Sequence, residues 1–232
     1  QLWDAIDWME KTSGRPWDDE KFIQGIINNS EAVNLFAQVL MLNRAVPAPL
    51  DMKSLLTLYL PAALVRQRRE AVDFYRELRD EVEDRVKQGI AALGTERFRF
   101  FHDSQPPWYF LRLFRFLEKY GAVCVGSLYL FTFANFHEDG GQYVPFPTPA
   151  QMGITLRNRE DAIRFFADWV ADSPLLDLMG QAAYRNERLL QLMGEWQAPA
   201  MLMHLNRGCK GTAQAQLEGR LALQAAGFPV AT

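Results

Sequence analysis

The chain has 232 residues, of which 49% are hydrophobic and 23% charged, and its formal net charge is -3. This composition suits a globular protein with one sizeable core or two small ones, and it gives no electrostatic reason to expect a nucleic-acid partner. No apolar run approaches the ~20 residues of a membrane-spanning helix, and two cysteines far apart do not form a disulfide framework. We therefore expect no membrane association and a reducing, cytoplasmic setting.

The first part of the chain, to about residue 95, shows the hydrophobic spacing of helices. Ser13-Gly14 is predicted to end a first helix, and the acidic residues that follow Pro16 suit the start of a second. Ser30 is predicted to cap a third helix, which carries Val33 and Phe36 inward.

Two prolines in the run Val46–Pro49 must interrupt the helical pattern. Asp51 is predicted to cap a short helix that extends to Leu60. From Ala62 to Leu93 the spacing predicts one long charged helix with a single apolar stripe. The charged residues on this helix indicate a solvated face rather than a binding surface.

After Gly94 the pattern changes to strands that alternate with helices. The predicted strands are Phe98–His102, Ala122–Leu128, Ala200–Leu205 and Phe228–Thr232. The predicted helices are Trp108–Tyr120, Arg159–Asp172, Leu178–Trp196 and Thr212–Ala226, with a loop at Asp139–Pro149. This alternation predicts an α/β fold with a doubly wound, flavodoxin-like parallel sheet of about four strands.

Two units are therefore expected, a helical segment over residues 1–95 and a parallel α/β domain over residues 96–232. The chain starts without a methionine inside a helical pattern and stops on a strand. We expect it to be a fragment whose α/β domain is incomplete at the C-terminus.

Ligands of open parallel sheets bind beyond the carboxyl ends of the strands. Three turns qualify, and the turn Asn206–Gly211 is the most informative because it places Cys209 between Arg207 and Lys210, close to a helix N-terminus. These features stabilise a thiolate, which is the form of cysteine that ligates iron. A lone cysteine in a turn is nevertheless more often inert. The glycines Gly208 and Gly211 match neither the dinucleotide fingerprint nor a Walker A motif.

Other titratable residues give weaker signals. Cys124 lies inside an apolar strand, which indicates a small buried hydrophobic residue. His204 and His102 precede the turns at two strand ends and are candidate proton donors, since histidine titrates near neutral pH. A structural role is the commoner one for both.

Several runs carry a resemblance to a known family when taken in order. They are Ile6–Glu10 with Gly14–Glu20, Leu42–Asp51, Asp103–Trp108, Gly121–Tyr129 and His204–Cys209. Together they resemble the benzoyl-CoA reductase and 2-hydroxyacyl-CoA dehydratase family, and within it the B-type subunits of ATP-dependent benzoyl-CoA reductase.

The resemblance implies an oxygen-sensitive enzyme of anaerobic aromatic degradation. In that family two related subunits hold [4Fe–4S] clusters and the acyl-CoA, while a separate ATPase pair uses ATP and reduced ferredoxin to deliver electrons at low potential. Benzoyl-CoA is reduced to a cyclic dienoyl-CoA. The expected partners are therefore a homologous cluster-bearing subunit, the ATPase or activator subunits and ferredoxin.

For this chain the resemblance implies that Cys209 is a ligand of the cluster, in a cofactor-binding turn shared with Arg207 and Gly208. The remaining ligands are expected outside the chain, because the family's N-terminal domain is absent from it. Gln105 and Trp108 are expected near the acyl-CoA, since Pro106-Pro107 fixes their direction at a strand end, and Asn206 is expected beside them.

Two alternatives stay open. The sister class, 2-hydroxyacyl-CoA dehydratase, uses the same scaffold to eliminate water, and many of its members have a further cysteine in the loop after the second strand. The run Ser127–Leu130 contains no cysteine, which favours the reductase branch. The other alternative is a cluster-free subunit that only scaffolds its neighbour.

Overall fold

The computed structural model describes residues 1–172 and 182–232. Its N-terminal segment is helical, as predicted. The helices are α1 Leu2–Ser13, α2 Asp19–Leu42, α3 Met52–Leu58, α4 Leu60–Leu64 and α5 Arg69–Gln88. Asp51 caps α3, where its carboxylate accepts a hydrogen bond from the Ser54 N–H at 2.6 Å. This confirms the predicted cap.

Three helix boundaries differ from the sequence prediction. Ser30 caps nothing, because it is buried in the middle of the continuous helix α2. Tyr59 separates α3 from α4, so the predicted helix from Asp51 to Leu60 is two short helices. The long charged helix is shorter than predicted, since Arg68 before it is extended and Gly89 after it is left-handed, with φ 68°.

The second part of the chain forms six strands and six helices within the described residues. The strands are β1 Phe98–Asp103, β2 Ala122–Ser127, β3 Phe136–Asp139, β4 Gln142–Pro145, β5 Met201–Met203 and β6 Val230–Ala231. The helices are α6 Arg112–Glu118, α7 Leu128–Phe131, α8 Arg159–Ala171, α9 Ala182–Glu195, α10 Lys210–Ala213 and α11 Gln216–Ala225. A 3-10 turn, Trp108–Phe110, precedes α6.

Four strands form one parallel sheet in the order β2-β1-β5-β6. This confirms the predicted α/β fold with its helical N-terminal segment. Gly126 on β2 permits the close approach of β1, because a Cβ at this position would lie 2.4 Å from the Phe101 ring. No helix in the described part of the chain combines the length and the apolarity needed to cross a membrane.

Several elements of this part also depart from the prediction. The segment predicted as the loop Asp139–Pro149 contains the turn of an antiparallel hairpin, β3–β4. Gly140 and Gly141 form that turn with φ values of 57° and 77°, which suits a two-residue hairpin connection. The predicted helix Thr212–Ala226 is broken at Ala215, whose φ is 56°. The helix predicted over Leu178–Trp196 is confirmed from Ala182, and its first residues lie outside the described residues.

One hydrophobic core joins the helical segment to the sheet. Phe36 and Tyr75 from the helices belong to the same buried cluster as Phe101 of β1 and Trp196. The Trp196 indole N–H donates to the Leu40 carbonyl at 3.2 Å, which links α2 to the end of α9. The two parts therefore share a large buried cluster of apolar side chains, and the division at residue 95 stays a prediction.

Candidate functional site

The carboxyl ends of β1, β2 and β5 lie side by side, and their turns form one edge of the sheet. The structure brings two of the predicted turns into contact there. The Asn206 side-chain amide donates to the Gln105 side-chain oxygen, and His204 Nδ1 lies 2.7 Å from the Gln105 carbonyl oxygen. Gln105, His204 and Asn206, which the sequence indicates separately, therefore form one polar group.

Cys209 is half-buried and stands immediately before α10. The neighbouring Thr212 side chain and the Thr212 and Gly211 backbone N–H groups lower the pKa of its thiol, against the opposing effect of burial. These donors favour the thiolate. The turn itself is shaped by Asn206, whose side-chain oxygen accepts a hydrogen bond from the Gly208 N–H at 2.7 Å. Arg207, Gly208 and Lys210 are exposed around it.

Cys124 has the opposite environment. It is buried in β2, its thiol donates to the Gly126 carbonyl at 3.4 Å, and burial raises its pKa well above the ordinary value. A thiol that stays protonated in an apolar strand is a poor iron ligand.

The described residues contain no group of three or more His, Cys, Asp or Glu side chains that could hold a metal ion. A [4Fe–4S] cluster is normally bound by four thiolates. The donor chemistry of Cys209 would fit one corner of such a cluster, and the other corners would need ligands beyond the described residues.

The two candidate proton donors have different environments. His102 is fully buried, with its Nδ1 3.1 Å from the Ser127 hydroxyl and its ring against Phe114. Burial, with a contribution from His204, lowers the pKa of His102 to about 3, so its imidazole is neutral near pH 7. This position favours a structural role for His102, whereas the half-buried His204 lies at the edge of the site.

A buried ion pair beneath the turn is not indicated by any pattern in the sequence. Arg185 of α9 donates to both Asp103 carboxylate oxygens, at 2.6 and 2.7 Å, and both side chains are almost fully buried. Gln216 donates to the His204 carbonyl at 2.9 Å, next to this pair. Gly219 leaves room for the arginine, since a Cβ there would lie 2.8 Å from Arg185 Nη1. The ion pair and its neighbours therefore lie under the start of the Asn206–Gly211 turn and support it.

Four aromatic rings lie together beside this edge of the sheet. We name Tyr59, Trp108, Tyr129 and Phe133 the aromatic wall, of which the sequence indicates only Trp108. The Trp108 ring centroid lies 5.7 Å from that of Tyr129 and 6.2 Å from that of Tyr59, and Phe133 lies 5.0 Å from Tyr59. Burial, Tyr59 and the neighbouring Cys209 raise the pKa of the Tyr129 phenol, which stays protonated.

Comparison with known proteins places the chain in a family. The family described as "2-hydroxyglutaryl-CoA dehydratase, D-component" matches residues 1–232. The chain belongs to this family. This confirms the resemblance at the level of the family and leaves the individual enzyme to be proposed.

Three curated relatives illustrate the similarity. The chain is 27% identical over 141 residues to the (R)-phenyllactyl-CoA dehydratase alpha subunit of Clostridium sporogenes, covering 60% of the chain and 35% of that relative. It is 25% identical over 235 residues to the (R)-2-hydroxyisocaproyl-CoA dehydratase alpha subunit of Clostridioides difficile, covering 100% of the chain and 52% of that relative. It is 23% identical over 223 residues to the B-type subunit of benzoyl-CoA reductase from Thauera aromatica, with 92% and 48% covered. The chain thus spans about half the length, or less, of these relatives.

Proposed function

We propose that this chain is part of a subunit that transforms an acyl-CoA thioester by electron transfer, with Cys209 as its ligand to a [4Fe–4S] cluster. The observation that carries the proposal is the turn itself. It presents a thiolate-favouring cysteine at the carboxyl edge of a parallel sheet, which is where such sheets bind ligands.

The neighbouring residues have separate tasks in this proposal. Gln105 and Asn206 hold each other in place by their side-chain hydrogen bond and orient a polar group of the substrate. His204 is positioned by the contact between its Nδ1 and the Gln105 carbonyl oxygen, and in this proposal its imidazole is the proton donor at the edge of the site. Arg207 offers positive charge beside an anionic cluster. The bound cluster supplies an electron at low potential.

The first candidate reaction is dehydration of a 2-hydroxyacyl-CoA, supported by the family and by the similarity to two dehydratase alpha subunits. The second is reduction of benzoyl-CoA to a cyclic dienoyl-CoA. It is supported by the similarity to the B-type subunit of benzoyl-CoA reductase and by the absence of a cysteine from Ser127–Leu130. Both need a homologous cluster-bearing subunit, an ATP-driven activator and reduced ferredoxin as partners.

Turnover by the full-length protein, purified with its partner subunits and assayed without oxygen, tests the proposal. The assay supplies reduced ferredoxin, ATP and either a 2-hydroxyacyl-CoA or benzoyl-CoA. We expect elimination of water with only catalytic amounts of ATP. Dienoyl-CoA formation with stoichiometric ATP use would establish the reductase instead. An assembled complex that transforms neither thioester would contradict the proposal.

A further inference from the structure

The aromatic wall is held rigidly by the elements that supply it. Tyr59 lies at the junction of α3 and α4 and is buried, Trp108 follows the buried Pro106-Pro107, and Tyr129 lies in the first turn of α7. Ser127 caps α7 through its hydroxyl, which accepts from the Tyr129 N–H at 3.3 Å. The rings meet edge-to-face or stacked, which are favourable aromatic geometries.

The wall faces the site rather than the interior alone. Trp108 keeps 40% of its surface exposed although its ring stacks on the buried Tyr59. It also follows Gln105, which is bonded to the Cys209 turn through Asn206. Tyr129, the next ring, lies in the helix that directly follows the carboxyl end of β2, at the same edge of the sheet. The partly exposed aromatic surface therefore lies at the same edge of the sheet as Cys209, where the parallel strands end.

The wall carries no charge of its own, and among the described residues no arginine stacks on one of its four rings. Arg207 and Lys210 are exposed on the turn, where water solvates them. A carboxylate pressed against these rings would lose its hydration and would find no charged partner in the wall itself, which is costly. An aromatic ring would lose little and would gain the same edge-to-face contacts that the rings make with one another.

We propose that the aromatic wall is the acyl subsite and that it selects an uncharged acyl group with an aromatic ring over an acyl group that ends in a carboxylate. This inference rests on the proposed acyl-CoA function and names the substrate class of that site. Trp108 is the specificity-determining residue, because it is the ring of the wall most accessible to a ligand.

Binding to the assembled, cluster-loaded complex tests the inference without turnover, in the absence of reductant and ATP. The probes are 3-phenylpropanoyl-CoA, glutaryl-CoA and free CoA. We expect the phenyl thioester to bind at least about tenfold more tightly than glutaryl-CoA. Trp108→Ala should weaken the phenyl thioester by about three- to tenfold, as expected for loss of one aromatic contact, and should leave glutaryl-CoA and CoA unchanged.

Two variants serve as controls. Trp108→Phe keeps a ring and should restore most of the preference. Phe116→Ala removes an exposed ring that contacts Tyr120 outside the wall, and it should change no affinity. Glutaryl-CoA binding as tightly as the phenyl thioester, or Trp108→Ala weakening all three probes alike, would overturn the inference while leaving the acyl-CoA function standing. Binding of none of the probes to the wild-type complex would overturn both.

Discussion

At the scale of single residues, the buried His102 side chain packs beneath the edge of the sheet where the site lies. Its ring is fully buried between Ser127 and Phe114, and its Nε2 has no hydrogen-bond partner among the described residues. The Ser127 hydroxyl that contacts it also accepts from the Tyr129 N–H. His102 thus supports a ring of the aromatic wall through one intervening side chain, and it does so as a neutral imidazole.

This burial predicts a specific pH dependence of stability. The pKa of His102 falls from 6.5 to about 3 on folding, so the folded state binds fewer protons than the unfolded state below pH 6.5. Its contribution is fully present above pH 6.5 and is lost as the pH falls toward 3, at about 1.4 kcal/mol per pH unit. Between pH 7.5 and pH 5 the free energy of unfolding should drop by about 2 kcal/mol from this residue alone.

Urea unfolding of the wild type and of His102→Gln at these two pH values measures the effect. The glutamine keeps a polar atom for Ser127 but does not titrate, so its stability should depend less on pH. Equal losses of stability in the two proteins would show that His102 does not titrate in this way.

The residues of the site are predictable from sequence to different degrees. Cys209, Gln105 and Asn206 follow from one rule, that turns after parallel strands meet at one edge. The hydrogen bond between Gln105 and Asn206 then follows from the adjacency of β1 and β5 in the sheet. The Asp103–Arg185 pair joins residues 82 positions apart, and Tyr59 reaches the site from the helical segment. No local pattern records contacts of this kind, because side-chain packing between distant elements decides them.

At the scale of elements, the N-terminal caps are the features that sequence predicts most directly. Asp51 precedes α3 in an extended conformation, and its carboxylate satisfies the Ser54 N–H. Asp51→Ala should lower the free energy of unfolding by about 1 kcal/mol, because that N–H loses its acceptor at a helix start. Lys53→Ala, at an exposed position of the same helix, should change it by less than about 0.5 kcal/mol. Chemical denaturation measures both, and equal effects would contradict the cap.

The predicted element boundaries are wrong where packing or turn chemistry outweighs local signals. Ser30 resembles a cap in sequence, yet buried neighbours on both sides keep α2 continuous through it. The hairpin β3–β4 does carry a local signal, since Asp139-Gly140-Gly141 suits its turn, but its short strands are hard to distinguish from loop. The break at Ala215 has no glycine or proline to indicate it.

At the scale of the whole molecule, the helical segment and the sheet share a core, and the cysteine turn stands at the sheet edge above it. This arrangement gives Cys209 a rigid base and leaves its thiol half-buried at the surface. One thiolate cannot hold a cubane by itself. A cluster at Cys209 would therefore require an assembly in which this chain contributes a single ligand and other parts supply the rest.

Iron and sulfide content of the full-length complex, purified without oxygen, tests whether Cys209 is a cluster ligand. Cys209→Ala and Cys124→Ala are compared with the wild type, since the two cysteines of the chain differ in environment. We predict that Cys209→Ala loses iron, up to about four atoms per cluster, and the matching cluster signal in the electron paramagnetic resonance spectrum of the reduced protein. Cys124→Ala should retain both. An assembled Cys209→Ala complex with unchanged iron and an unchanged spectrum would contradict a ligand role for Cys209 and would favour a scaffolding role without a cluster.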